Sequence, residues 1–177
     1  MSIEDTVLPT RFGQAEGTDE LISLEEMVGK LKAAVAARRD PSTVLLGRTA
    51  ALKVEGTRSA VERAKAFVAA GVDAVFLTGV QSADQVKAVH EAARLPIMVG
   101  SAPASIRRED FAVAGARVLL QGHQPVAAAV KALKEVYLHL HNGGAPADLK
   151  DRIASAKEMD ALVSGEAYKK WQKDYLR

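Results

Sequence analysis

One kind of segment occurs twice in this chain and restricts its fold more than anything else in it. Val68-Ala69-Ala70-Gly71-Val72-Asp73-Ala74-Val75-Phe76-Leu77 and Ala112-Val113-Ala114-Gly115-Ala116-Arg117-Val118-Leu119-Leu120 follow one plan. Each reads as a helix end, a glycine suited to a left-handed cap, and a short apolar strand. Strands that run almost continuously apolar are buried on both faces, as in parallel sheets covered by helices. Parallel neighbours need a crossover connection, and a helix supplies it with right-handed geometry. The chain is therefore read as an α/β protein built from repeated βα units.

The remaining elements keep the same rhythm. Ser23 and Glu26 form a capping box ahead of a helix with Leu24, Met27, Val28, Leu31 and Val35 on one face, ending near Arg39. Asp40-Pro41-Ser42 breaks it, and Thr43-Val44-Leu45-Leu46-Gly47 is a strand candidate. A helix over Ser59–Ala70, a strand over Asp73–Leu77 and a helix from Ser82 to Arg94, with Gln85 in the reciprocal capping position, come next. Pro96 opens the strand Ile97–Val99; a helix over Arg107–Ala114 and the strand Arg117–Leu120 follow. Pro125 sits in the first turn of a helix that Asn142-Gly143-Gly144 stops near Leu140. Beyond Ala145 the sequence reads as helical, with a second capping box at Ser155 and Glu158 and a break near Gly165. With Ser2-Ile3-Glu4 at the start there are about five strands, whereas a closed βα barrel has eight and ~250 residues. The expected fold is a partial TIM-type (βα) barrel over 1–142 with a C-terminal helical segment over 143–177.

Composition narrows the function. A length of 177 residues, 48% of them apolar, suffices for a buried core. The absence of cysteine rules out disulfide scaffolds, thiolate metal sites and cysteine nucleophiles. The formal charge of +2 comes from interspersed Lys, Arg, Asp and Glu, with no basic stripe for a phosphate backbone. No apolar stretch has the length of a membrane span, and the acidic start is unlike a signal peptide. The expectation is a cytoplasmic protein acting on small molecules, with neither nucleic acid nor membrane as partner.

In parallel βα folds the carboxyl ends of the strands form the ligand face. Those positions hold Glu4 and Asp5, Arg48 and Thr49, Thr78 and Gly79, Gly100 and Ser101, and Gly122 and His123. The set suits a small anionic substrate with a hard divalent cation. Glu4 and Asp5 alternate along a strand, so only one faces the barrel axis; the pair reads equally as an ordinary charged terminus. Arg48 follows a buried apolar run, where a permanent charge requires an anion or an internal partner. His123 either hydrogen-bonds or protonates a bound intermediate or is an ordinary loop histidine. His90 is expected to be solvated, and His139 and His141 diverge on their helix. Tyr137, Tyr168, Trp171 and Tyr175 read as packing anchors.

Ser2-Ile3-Glu4-Asp5-Thr6, the helix Glu25–Ala34, Leu46-Gly47-Arg48-Thr49, Glu62-Arg63-Ala64-Lys65-Ala66 and Ala70-Gly71-Val72-Asp73-Ala74 resemble the isocitrate lyase/phosphoenolpyruvate mutase superfamily over essentially the whole chain. Asp5-Thr6-Val7-Leu8-Pro9 running into Phe12-Gly13, then Val80-Gln81 and Gly122-His123, place the resemblance closest to the bacterial branch that decarboxylates oxaloacetate. The resemblance implies Mg²⁺, with Mn²⁺ as a substitute, held in part by Glu4 through water and more weakly by Asp5. It implies Arg48 and Thr49 as substrate-binding residues and His123 as the catalytic histidine. The implied reaction is loss of CO₂ from a 2-oxo diacid through an enolate, and the implied assembly is a homo-oligomer exchanging C-terminal helices. It also implies that the segment at Ile3 is about the fourth strand, with three strands and the principal metal aspartates lying before it. The lyases' catalytic cysteine is absent, which argues against isocitrate or methylisocitrate cleavage; Ala50 departs from the family's usual residue after the Arg-Thr pair, and the strand ending Met98-Val99-Gly100-Ser101 lacks a tyrosine expected from the decarboxylase branch. Two alternatives remain open: a catalytically inactive homologue that serves as an oligomerising partner, and another lyase of the same superfamily.

Overall fold

Among the described residues five strands pair in chain order, every one parallel to its neighbour. The structure, a computed structural model, describes residues 1–9, 12–13, 19–120, 122 and 124–176. β1 (Ser2–Glu4) leads through α1 (Leu24–Ala37) to β2 (Leu46–Thr49), and α2 (Ala51–Val54) and α3 (Thr57–Ala70) lead to β3 (Ala74–Leu77). α4 (Ala83–Ala93), β4 (Ile97–Gly100), α5 (Arg108–Val113) and β5 (Ala116–Leu120) complete the first of two compact units, Met1–Gly122. The expected boundary after residue 142 falls inside the second unit, His123–Arg177. A doubly wound sheet would reverse its strand order at a switch point, whereas this one never does. Sequential parallel order is the arrangement of a βα barrel, here as a five-strand arc.

Pairing register decides which residues share a face. Gly47, Val75 and Ile97 lie in one row, Thr49, Leu77 and Val99 in another, and these rows carry the helices. Val75, Leu77, Ile97 and Val99 pack with Ala60, Ala64, Val86, Val89 and Phe111 into one core. Phe67 joins Met27, Leu31, Ala70 and Val72 in a second. Gly47 is required there, because a Cβ at that position would lie 2.6 Å from the Phe67 ring. The other face carries Glu4, Arg48, Phe76, Met98 and Val118, again one register row.

Local signals formed most elements as expected. Ser23 caps α1 and Ser82 with Gln85 makes the capping box of α4. β2 begins later than its apolar run. Val44 and Leu45 are engaged by the Met1 amino group and the Asp73 carboxylate, and the ladder runs instead through Arg48 and Thr49. α2 is too short to leave a periodic signal. His90 is half-buried and not solvated as expected; its Nδ1 sits 2.9 Å from the Leu95 carbonyl and its ring packs over Gly115, which adopts φ +102°.

In the second unit, α6 (Gln124–His141) is followed by a 3₁₀ segment (Pro146–Arg152), α7 (Ala156–Leu162) and α8 (Gly165–Tyr175). Arg152 bonds Glu135 at 2.9 Å, tying the 3₁₀ segment to α6, and Lys169 bridges Asp160 and Glu166 between α7 and α8. The expected capping box at Ser155 and Glu158 forms, and the Ser155 hydroxyl holds the Glu158 carboxyl below the ordinary glutamate pKa. The break falls at left-handed Ser164, with Gly165 opening α8. Of the four aromatic residues expected as packing anchors, Tyr168 and Trp171 meet edge-on at 5.2 Å, and Tyr137, Tyr168, Trp171 and Tyr175 are each more than half exposed. Among the described residues no helix is long and apolar enough to cross a membrane.

Candidate functional site

The parallel register sets Glu4 directly opposite Arg48, so both side chains leave the same face at neighbouring strand ends. Arg48 Nη2 lies 3.2 Å from Glu4 Oε2, and both are partly open to solvent. The next residue in the row, Phe76, presents its ring 5.2 Å beneath the guanidinium carbon. That stack favours the cation and orients its plane. Gly100 leaves room for the ring, since a Cβ there would meet Phe76 at 2.8 Å. From α1, Lys30 Nζ donates to the Glu4 carbonyl at 2.8 Å and holds the end of β1.

Alternation sends the following residues the other way. Asp5 is buried in the helix-bearing layer, with Oδ2 3.3 Å from Arg63 Nη1 and Oδ1 accepting from the Ala50 amide at 3.2 Å. Burial raises its pKa above the ordinary aspartate value, against the opposing pull of the Thr49 hydroxyl, the Ala50 amide and Arg63. Asp5 therefore has a protein partner on each carboxylate oxygen, although it also borders the cleft at the strand ends. Thr49 is also fully buried, and its hydroxyl accepts from the Ala51 amide at 3.0 Å.

The chain leaves β1 and returns alongside it as an antiparallel ribbon. Ile22 N donates to Asp5 O at 2.8 Å and Val7 N to Glu20 O at 2.7 Å, around a Thr6–Leu21 bridge. Asp19 on the returning arm pairs with Lys53 of α2 at 3.0 Å. A cleft of about 220 Å³ opens between ribbon and strand ends, lined by Glu4, Asp19, Glu20, Arg48, Ala50 and Thr78 among others. Among the described residues it therefore holds carboxylates and one guanidinium in a space sized for a small diacid. Among the described residues, no three histidine, aspartate or glutamate side chains converge as a cation site. Glu4 could offer one oxygen through water, but one carboxylate already shared with Arg48 does not fit a magnesium ion by itself. His123, the expected catalytic histidine, lies outside the described residues.

Sequence reasoning missed Phe76, Arg63 and the Asp19–Glu20 arm. Arg63 had a readable signal: a permanent charge beside Ala60, Ala64 and Phe67 on the apolar face of its helix.

A model of the family described as phosphoenolpyruvate phosphomutase matches residues 1–141. An oxaloacetate decarboxylase from Rhodopseudomonas palustris (strain HaA2) is 44% identical over 164 residues, 92% of this chain and 56% of that protein. The chain spans a little over half the length of the curated relatives it matches. A phosphoenolpyruvate phosphomutase from Streptomyces platensis subsp. rosaceus superimposes with a TM-score of 0.78 at 26% identity, over 99% of this chain and 63% of that one. A phosphonopyruvate hydrolase in complex with oxalate and Mg²⁺ does so with a TM-score of 0.75 at 28% identity, over 99% and 62%.

Proposed function

This chain belongs to the phosphoenolpyruvate phosphomutase family, and on that premise we propose that its rim binds a small 2-oxo diacid, with oxaloacetate as substrate and pyruvate and CO₂ as products. The observation that carries the reading is Arg48, a guanidinium stacked on Phe76 in a cleft sized for a small diacid. Its planar fork matches a carboxylate in bidentate fashion. Cleavage of the bond to the departing carboxylate leaves the electron pair as an enolate, and an acid group then returns a proton to carbon to give pyruvate. Arg48 holds one end of the substrate and opposes the negative charge; the ribbon restricts water. His123 keeps the proton role that the resemblance implied. Magnesium dependence is supported by the relative that holds oxalate and Mg²⁺, but the described residues do not fit the ion by themselves.

The absence of a three-ligand cation cluster among the described residues favours a second reading, a homologue that binds the diacid without turning it over. Calorimetric titration with oxalate, with and without Mg²⁺, combined with pyruvate release from oxaloacetate measured against a metal blank, separates the two. Binding with release above the blank supports the decarboxylase, and binding alone supports the inactive homologue. Failure to bind oxalate under any condition would remove both.

Assembly through the helical unit belongs to the same proposal, in a cytoplasmic setting. α6 buries none of its own residues, and Val126, Val130, Leu133 and Tyr137 form an exposed apolar stripe on one face. A stripe at that spacing is the face a helix ordinarily buries. Sedimentation equilibrium at micromolar concentration is expected to give a mass at least twice 18.8 kDa; a clean monomer would contradict the proposal.

A further inference from the structure

We propose that Arg63 is a positioning residue for the Glu4–Arg48 rim, acting from the helix layer through Asp5; the inference rests on the diacid-binding reading above. Arg63 lies on α3, only 6% exposed, on the face that also buries Ala60, Ala64 and Phe67. Burying a permanent charge there is unfavourable unless its donors are used. All of its reach is directed at the rim's supports. Nη1 meets Asp5 Oδ2 at 3.3 Å, Nη2 meets the Ile22 carbonyl at 3.2 Å, and Nε meets Glu55 Oε2 at 3.4 Å.

These three partners belong to three different segments. Asp5 adjoins Glu4, Ile22 lies on the returning arm of the ribbon, and Glu55 follows the last residue of α2, directly beyond the end of β2. The other Asp5 oxygen takes the Ala50 amide, two residues past Arg48. One guanidinium therefore joins the exits of β1 and β2 and the ribbon, and with them the spacing of Glu4 from Arg48. Stability alone does not call for such a group. A buried ion pair is often matched or exceeded in stability by well-packed apolar residues of similar volume. What apolar residues cannot reproduce is a rigid fork with three differently aimed donors, and neither can a single ammonium.

The test uses two variants, because Arg63→Met alone leaves Asp5 as an orphaned buried charge and risks unfolding. Arg63→Lys keeps the charge and removes the fork, while Asp5→Asn/Arg63→Met removes both charges together. For each, the Arg48 Nε–Hε resonance is followed by NMR, and oxalate affinity is measured in the presence of Mg²⁺. Val89→Ala, a fully buried α4 site remote from the rim, serves as a control destabilised without touching it. Both test variants are expected to remain folded, to move the Arg48 resonance, and to bind oxalate roughly 10- to 100-fold more weakly, with the control unchanged in both respects. An Arg48 resonance and oxalate affinity matching the unsubstituted chain in both variants would overturn the assignment. If the unsubstituted chain binds no oxalate, the diacid reading fails and the Arg48 resonance alone decides. Movement in both variants then still supports the positioning role, and no movement overturns it.

Discussion

Phe67→Ala is expected to lower the unfolding free energy by about 3–5 kcal/mol, the range for emptying a buried aromatic site. Phe67 has no exposed surface and packs with Met27, Leu31, Ala70 and Val72 between α1, α3 and the sheet. Its ring also lies over Gly47, which has no side chain to fill the space left behind. Collapse around the vacancy is therefore limited, since the floor is backbone held in the β2 ladder. Urea unfolding should show a lower midpoint with little change in slope, because the surface exposed on unfolding is nearly the same. The same geometry yields a coupled result. Gly47→Ala alone drives a methyl group into the ring and should destabilise by about 1–3 kcal/mol. Combined with Phe67→Leu, it should give less than the sum of the two single effects, since the smaller side chain yields room to the methyl. A midpoint for Phe67→Ala equal to that of the unsubstituted chain would contradict the packing described for α3.

The second large effect is on ligand binding. Arg48→Met is expected to weaken oxalate binding by about 2–5 kcal/mol, the usual loss when one partner of a hydrogen-bonded charge pair is truncated. Methionine keeps an unbranched apolar stem while removing the guanidinium and its stack on Phe76, so the substitution tests carboxylate recognition. Its effect on folding should stay below about 1 kcal/mol, because a half-exposed pair such as Arg48–Glu4 contributes little to stability. Arg48→Lys should fall between, with charge retained and bidentate geometry lost. Glu4→Gln works in the opposite sense when magnesium is left out. It frees the guanidinium from its internal partner at 3.2 Å and should tighten metal-free oxalate binding. Calorimetry reads all three, and an Arg48→Met chain that binds oxalate as tightly as the unsubstituted chain would withdraw Arg48 from the site.

Much of the layout was legible before any coordinates. The capping pairs at Ser23, Ser82 and Ser155 mark helix starts because the signal is local, a hydroxyl three residues from an acceptor or amide. The continuous apolar runs at Val75 and Val99 mark strands because burial on both faces leaves no place for alternation. β2 begins later than its apolar run for the same reason. The rule follows apolar residues, and the ladder at that strand passes through Arg48 and Thr49, whose polarity hides them. The site was half legible. Alternation correctly sent Glu4 and Asp5 to opposite faces, but which face carried the helices could not be read from the dipeptide. Alternation also turns Thr49, next to Arg48, to the helix-bearing face, where it is buried.

Fold class, the order of the elements and the arc of strand ends that forms the rim are legible in the sequence, because these depend on periodicity and on contacts between near neighbours. Tertiary structure alone decided the partners. Glu4 meets Arg48 only through the register of two strands, and Arg63 meets Asp5 across 58 residues of chain. Register is a property of the assembled sheet, where a slip of one residue exchanges the two faces. No local pattern encodes that choice; it is made when the helices cover one face and leave Glu4 and Arg48 on the other.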